Sequence, residues 1–485
     1  MWVLNWRTLT TRELTRHARH SETSSQWLDY KEPEGFDVLP DHDGCDATLL
    51  VHLLDVFHRI PDRRIAVLTQ SASDSPQLSL LQNLCDSIDR HADQLIEFRR
   101  ELHRYPEVSG QEYHTTQRIV DRLVQAGIPP NISPSKRGVV CDLISDASQE
   151  SSGQGLLLRA DMDALPINDQ KEEIYRSQNA GFMHACGHDA HTAMLYGAAL
   201  AIHETRQRAP AAFTRPLRIA FQPAEEICEG AQQMIGEGVT EGIEAALALH
   251  VDPSQPFGFI GYRHGLLTAI CDELRIDVQG KGGHGARPHL TCDPIFATTQ
   301  FIQSAYSQIP RALNAQSPHV LSFCQVQSGH SANAVPEAAN IRGTLRTLDV
   351  DEREKAIRQL TALCASVGEQ TGCKLTLRTG IHAPAVKNDP NLTDLFVQAA
   401  NDLLPKDQVY SIQRPSMGGE DFAYFGTQCL TAMVRVGCRP PHVPALDLHS
   451  PEFDIDERIL PLGAKLLAWA SLRWMRLAKA GEASL

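Results

Sequence analysis

The sequence has no apolar run of the ~18 residues that a membrane-spanning helix needs. Its opening stretch, MWVLNWRTLTTRELTRHARH, has no apolar core of the kind a secretory signal carries. That stretch is Arg-rich and acid-poor, a weak likeness to a transit peptide, but it reads better as a solvated N-terminal extension. Membrane-spanning and exported classes are therefore set aside. Basic charge is also scarce: 45 Lys and Arg stand against 59 Asp and Glu, a formal net charge of −14. Without clustered cations a phosphate backbone has nothing to hold it, so no nucleic-acid partner is expected. There is no paired C-x-x-C and no short disulfide framework. The 12 cysteines are scattered, mostly in apolar surroundings, which fits a reducing, cytoplasmic setting. Internal repeats and long low-complexity tracts are missing too. What is present, 485 residues at 42% apolar and 21% charged, allows two or three globular domains with ample core.

The first 84 residues read as an extension of unknown role. Its first forty are polar and irregular. DATLLVHLLDVFHRI follows, with Leu49, Leu50, Leu53, Leu54 and Phe57 near one helical face. From Cys85 the pattern tightens. ADQLIEFRRELHRYPE predicts an amphipathic helix stopped by Pro106, and TTQRIVDRLVQAGI another ended by Gly127. GVVCDLI, GLLLRADM, LRIAFQPAEE and AALALHV read as buried strands, separated by helical stretches such as HTAMLYGAALAIHE and EGAQQMIGEG. Strands alternating with helices imply an α/β layered sheet. Near Thr268 the texture changes to half-exposed alternation, in a β-α-β-β-α-β order that reads as an α+β domain with an antiparallel sheet. From Asn388 the chain returns to helix and buried strand. The expected plan is a catalytic domain at 85–267 and 388–485 with a mixed sheet flanked by helices, interrupted by a smaller domain at 268–387.

Five segments concentrate metal-capable side chains at expected strand ends, where α/β sheets build their sites. RADMDALP places Asp161 and Asp163 two apart at the end of a strand, facing the same way if extended, or else as solvated or capping acids. MHACGHDAHTAML offers Cys186, His188 and His191 around a glycine, all ligand types that suit zinc-like ions. Asp189 beside them can orient a liganding imidazole. FQPAEE follows a buried strand with Glu225 and Glu226. On extended chain the two point apart, so one can bind a metal while the other faces a metal-bound water; alternatively they open the next helix. His250 ends the strand AALALHV, and His449 sits far along in ALDLHSPEF; singly, each reads as a structural histidine. Taken together, Cys186, His188, Glu226, His250 and His449 make a plausible cage for two divalent cations sharing one bridging group, with Glu225 free as general acid and base. Such a site polarises an amide carbonyl and activates water, so no Ser or Cys nucleophile is required.

ELHRYPE, RADMDALP, MHACGHDAHTAML, FQPAEE, GGHGARPH, NAVPEAA, RPSMGGEDFAYF and LHSPEF occur in this order between Leu95 and Trp474. In that order they resemble the aminoacylase and carboxypeptidase type of dinuclear metallopeptidases. The nearest branch holds the amidohydrolases that include hippurate hydrolases and auxin–amino acid conjugate hydrolases. The resemblance implies a zinc-peptidase-like catalytic domain with an inserted lid domain that often dimerises, hence a homodimer through the insert. It implies Cys186 as the bridging ligand, with His188, Glu226, His250 and His449 completing the set around two ions of Zn, Mn or Co. Glu225 is implied as the acid/base. Asp161 stands where other branches put a metal-binding histidine, so Asp161 and Asp163 become supports behind the ligands. His284 in GKGGHGARPH is implied to lie over the substrate, often reaching a neighbouring subunit's site, where it can donate to the carbonyl oxygen. Asn333 and Arg346 are expected to bind a substrate carboxylate or support the lid. Gly418, Gly419, Glu420 and Asp421 form a turn near the site.

The resulting expectation is a metal-dependent hydrolase of C–N bonds other than ordinary peptide bonds. It would cleave N-acyl amino acids, aromatic or aliphatic in the acyl group, through a metal-bound water and a glutamate base. A carboxypeptidase or dipeptidase would use the same metals. A hydrolase using Cys186 as nucleophile with His188 or His191 is the competing chemistry. A metal-binding relative without catalysis is the competing class, and the complete ligand set with Glu225 argues against it.

Overall fold

The computed structural model describes residues 76–144 and 155–482. The apolar face expected around Leu49–Phe57 lies outside the described residues. Three helices open the described chain: α1 (Pro76–Arg90), α2 (Ala92–Arg104) and α3 (Tyr113–Gln125). The core therefore starts earlier than the Cys85 that composition suggests. Leu80, Leu84 and Ile88 recur every fourth residue on one face of α1 and are buried in the main core. Helix α2 stops at Arg104 because Tyr105 precedes a proline, which disfavours helical backbone. Helix α3 gives way to Gly127 in the left-handed conformation.

The main sheet is built from β1 (Asn131–Ile132), β2 (Val139–Ile144), β3 (Gly155–Asp161), β4 (Leu217–Gln222), β5 (Ile243–Pro256) and β6 (Ile260–Tyr262). An inserted segment then supplies β7 (Ile270–Gln279), β8 (His319–Ser328), β9 (Ala338–Thr347) and β10 (Lys374–Ala383). The chain returns to the main sheet with β11 (Val409–Ser411) and β12 (Leu430–Arg439). The strand order is β1-β2-β4-β3-β5-β12-β6-β11. Its centre is parallel, with β3 between β4 and β5 and β12 against β5, while β2 pairs antiparallel with β1 and β4, and β6 pairs antiparallel with β12 and parallel with β11. All seven residues of β3 are buried, as a central parallel strand covered on both faces requires.

Between β3 and β4 runs α4 (His188–Arg208), and between β4 and β5 the short α5 (Gly230–Gly236). Every residue of α4 from His188 to Ile202 is buried, so it is an interior helix rather than an amphipathic one. It packs against α1, α2 and the terminal α9 (Ile459–Glu482). Within the insert, α6 (Pro294–Ala312) and α7 (Val350–Thr371) cover one face of a four-stranded antiparallel sheet ordered β8-β9-β7-β10. Phe301, Leu360, Ile276 and Leu345 belong to a core of their own there. The insert's chain order is the β-α-β-β-α-β read from the sequence. Its entry and exit are tied where Gly265–Leu266 pairs with Lys387–Asn388. Helices α6 and α8 (Pro390–Leu403) both start on Asp-Pro: the aspartate side chain caps free backbone N–H groups, and proline fits the first helical position. Among the described residues, no helix is long and apolar enough to cross a membrane.

Candidate metal centre

The parallel strands end on one side, and the candidate residues gather there. Asp161 closes β3, Glu225 and Glu226 follow β4, and Cys186 and His188 flank the glycine that starts α4. Gly187 has φ +87°, and a Cβ there would meet Val251 Cγ2 at 2.6 Å. Only glycine lets the chain turn from Cys186 into the helix so close to β5. His250 does not end its strand. β5 runs on to Pro256, because its extension keeps pairing with β12 as far as Arg439. His449 comes from the loop before α9, and its backbone N–H donates to Ala185 O, 2.8 Å away.

Alternation along a strand does not describe the glutamate pair. β4 stops at Gln222, and Ala224 and Cys228 take positive φ of 52° and 55°. The chain turns there, so both carboxylates converge on one point: Glu225 Oε2 and Glu226 Oε1 each lie 3.9 Å from His188 Nε2. With His449 (φ 66°), three of the five non-glycine residues with positive φ among the described residues belong to this region. Strain of that kind persists where surrounding structure holds it, commonly at functional sites.

Two overlapping groups result. Cys186, His188 and His250 offer ligand atoms within 4.8 Å of one another, and so do Cys186, Glu226 and His449. Cys186 Sγ is 3.6 Å from His250 Nε2, and His449 Nε2 is 3.4 Å from Glu226 Oε1. The imidazoles are aimed from behind. His188 Nδ1 lies 3.0 Å from Asp163 Oδ1, and His250 Nδ1 lies 2.8 Å from Val251 O, which leaves each Nε2 facing the others. Buried His188 Nε2 and Glu226 Oε1 have no hydrogen-bond partner among the described residues. The field around them favours a cation. Burial opposes charge on His188, yet Asp161 and its other neighbours hold that imidazole well above its usual pKa. Burial, reinforced by Glu226, pushes the Cys186 thiol up to about 12. Only His449 is exposed, its side chain at 49%, so the group opens outward on that side.

Behind this cluster sits a layer in which Arg159 joins the supporting acids. The Arg159 guanidinium is buried in β3. It donates to Asp161 Oδ2 at 2.8 Å, Asp421 Oδ1 at 2.9 Å and Gln222 Oε1 at 2.8 Å, and pairs with Glu420 at 3.1 Å. The turn carrying Glu420 and Asp421 is thereby clamped under Glu225, whose Oε1 accepts from the Asp421 N–H at 3.3 Å. Burial, with Glu420, Glu226 and Asp421 adding to it, pushes the Glu225 carboxyl well above the usual range. Glu112, also buried, accepts from the Ala224 N–H at 2.7 Å and so braces the strained turn before Glu225. Removing Arg159 leaves several buried acids without their cation. Arg159→Met is expected to cost about 3–5 kcal/mol of stability, read from urea unfolding.

Two further expectations meet a different geometry. Asp189 supports no ligand imidazole; its Oδ2 lies 2.8 Å from Arg99 Nε and 2.7 Å from His103 Nδ1. Adjacent residues on a helix face different directions, so Asp189 turns toward α2 while His188 faces the cluster. His191 is spent within the fold: Nδ1 meets Asp161 at 2.7 Å, and Nε2 accepts from the Val251 N–H at 2.9 Å. On the insert, exposed His284 pairs with Ala334 in a two-residue ladder, and its Nδ1 accepts from the Ala286 N–H. Exposed Asn333 bonds Gly285 through its backbone and Ser331 through its side chain. Arg346 donates to Met417 O at 2.9 Å, tying β9 to the loop before Glu420. No hydrogen bond or ion pair of these three residues reaches the cluster.

A protein-family model described as Peptidase family M20/M25/M40 matches residues 157–472. The chain belongs to peptidase family M20. Within that family it is similar to the N-acetyl-L-cysteine deacetylase of Bacillus subtilis, at 35% identity over 75% of this chain and 84% of that protein. It is also similar to IAA-amino acid hydrolase ILR1-like 2 of Arabidopsis thaliana, at 30% identity over 79% of this chain and 86% of that protein. Among solved structures, the Bacillus subtilis YXEP protein, described as a dinuclear metal binding peptidase from the M20 family, superposes with TM-score 0.66 at 31% identity. It covers 80% of this chain and 99% of that one. These likenesses put the chain in the amidohydrolase branch of M20, a family of metal-dependent hydrolases. The M20 fold, a mixed sheet flanked by helices with antiparallel sheets beside it, is the one described above.

Proposed function

We propose that the protein cleaves the amide bond of N-acyl amino acids, in the cytoplasm, with two divalent cations of Zn, Mn or Co. One observation carries the reading: Cys186 belongs at once to a group with His188 and His250 and to a group with Glu226 and His449. A single thiolate bridging two ions is the economical use of that overlap, and the donors suit such ions. The unpartnered buried atoms of His188 and Glu226 support the fit, since buried polar atoms ordinarily find partners. The relatives' names, a deacetylase and an amino acid conjugate hydrolase, point to the same bond.

When bound, the ions supply Lewis-acid chemistry, polarising the amide carbonyl and acidifying water. The chain supplies the rest. Asp163 fixes the His188 tautomer, and the Val251 carbonyl fixes that of His250. Glu225 stands at the cluster, held by the Asp421 N–H, where it takes a proton from water and returns it to the leaving nitrogen. His284 serves as donor to the carbonyl oxygen when an insert closes over a site, its own or that of a second copy in a homodimer. Asp163→Asn is expected to weaken metal binding about 10- to 100-fold, measured by competition with a fluorescent chelator.

A hydrolase acting through Cys186 fits less well. His191 is committed to Asp161 and Val251, and the thiol lies buried among acids. A panel of N-acyl amino acids set against dipeptides, assayed with the metal-loaded protein, tests the proposal. Faster turnover of the acyl amino acids is expected, and dominant turnover of dipeptides would assign the protein to the carboxypeptidase or dipeptidase side instead.

A further inference from the structure

A cavity of about 410 Å³ adjoins the cluster on the side of β5 and β12, lined in part by Val251, Asp252, Leu267, Tyr410, Arg435 and Leu448. Val251 and Leu448 of its lining are chain neighbours of the proposed ligands His250 and His449. Arg435 on β12 is the register partner of His250 on β5.

Arg435 is half-buried, yet among the described residues no hydrogen bond or ion pair engages it. The fully buried arginines are spent, Arg99 on Asp189 and Arg159 on Asp161, as are Arg353 on Asp272 and Arg263 on backbone carbonyls; half-buried Arg104, Arg439 and Arg476 also show no side-chain partner among the described residues, but none of them lines this cavity. The acid in the same cavity makes no ion pair with Arg435. Asp252 Oδ1 accepts from the Ser254 N–H at 2.9 Å and its hydroxyl at 2.6 Å, and Oδ2 lies 3.5 Å from the Tyr410 hydroxyl. A guanidinium presents five N–H donors in a planar fork that matches a carboxylate, and a sheltered one left without an acceptor calls for a partner. Val251, Leu267 and Leu448 add apolar wall beside it.

We propose that Arg435 is a specificity-determining residue that binds a carboxylate of the substrate in this cavity, next to the metal ligands, while the apolar wall takes the adjoining side chain. The proposal rests on the amide-hydrolysis reading above. The carboxylate is that of the amino acid or one carried by the acyl group, and three substrates separate these sources: N-acetyl-L-methionine, its neutral primary amide, and N-succinyl-L-methioninamide.

Arg435→Gln is expected to lose about 10- to 100-fold in kcat/KM, mostly through KM, on whichever carboxylate substrate the wild type prefers. The neutral amide should be unaffected, and Arg435→Lys should recover part of the loss. An equal fall on all three substrates, or no fall on either acid, overturns the proposal. A second readout needs no turnover: calorimetric binding of N-acetyl-L-methionine and of the succinyl compound to metal-loaded Glu225→Gln protein, with and without Arg435→Gln. Should the wild type split none of the three substrates, the hydrolase reading fails. The binding comparison then still decides Arg435, since weaker binding of either acid in the double variant supports it and unchanged binding of both refutes it.

Discussion

Glu225→Gln is expected to lower kcat by about 10²- to 10⁴-fold while bound metal and folding stay as in the wild type. Glutamine keeps the shape of the side chain and its acceptor oxygen for the Asp421 N–H, but it cannot carry a proton from water to the leaving nitrogen. The fold has no reason to resist the change. Burial, Glu420, Glu226 and Asp421 all disfavour charge at this position, so a neutral amide suits it. The neighbouring Glu226→Gln behaves differently, because Glu226 is a proposed ligand facing His449, and its loss lowers metal content. Steady-state kinetics together with metal analysis of both variants check the division of labour. A Glu225→Gln protein within tenfold of wild-type kcat would remove this residue from the acid/base role.

Cys186→Ala is the second large effect. Its sulfur is the one atom common to both ligand groups, so its removal damages both cation positions at once. Bound metal is expected to fall below two ions per chain, and turnover by about 10³-fold or more, the loss of several kcal/mol of carbonyl polarisation. His449→Ala is the informative contrast. His449 is exposed and belongs to one group only, so that variant should keep an ion at the Cys186–His188–His250 side. Both are read by metal content after gel filtration and by kinetics. If Cys186 were instead a nucleophile, its replacement would abolish turnover and leave metal content untouched.

The proposed ligands drew notice because Cys, His and paired Glu are conspicuous where apolar strands end. The reasons why they converge were not legible. The left-handed backbone at Ala224 and Cys228 brings Glu225 and Glu226 to the same point, and no period of side chains announces it. Asp189 sits next to a proposed ligand in the chain but a helix turns it elsewhere, onto Arg99 and His103. The start of α1 was missed because polar residues between Leu80, Leu84 and Ile88 dilute the apolar signal. Arg159 did leave a trace: a cation inside the apolar run GLLLRAD needs buried acids. Its partner Asp421, however, is 262 residues away, and only the fold joins them. Arg435 left no trace, since its significance lies in the missing partner and in its register against His250.

The most direct test is a metal titration of the wild-type enzyme stripped by a chelator, following hydrolysis of an N-acyl amino acid as Zn²⁺, Mn²⁺ or Co²⁺ is returned. The account predicts that stripped protein is inactive and that activity climbs with added ion to a plateau near two per chain. Full activity surviving exhaustive removal of metal would contradict it.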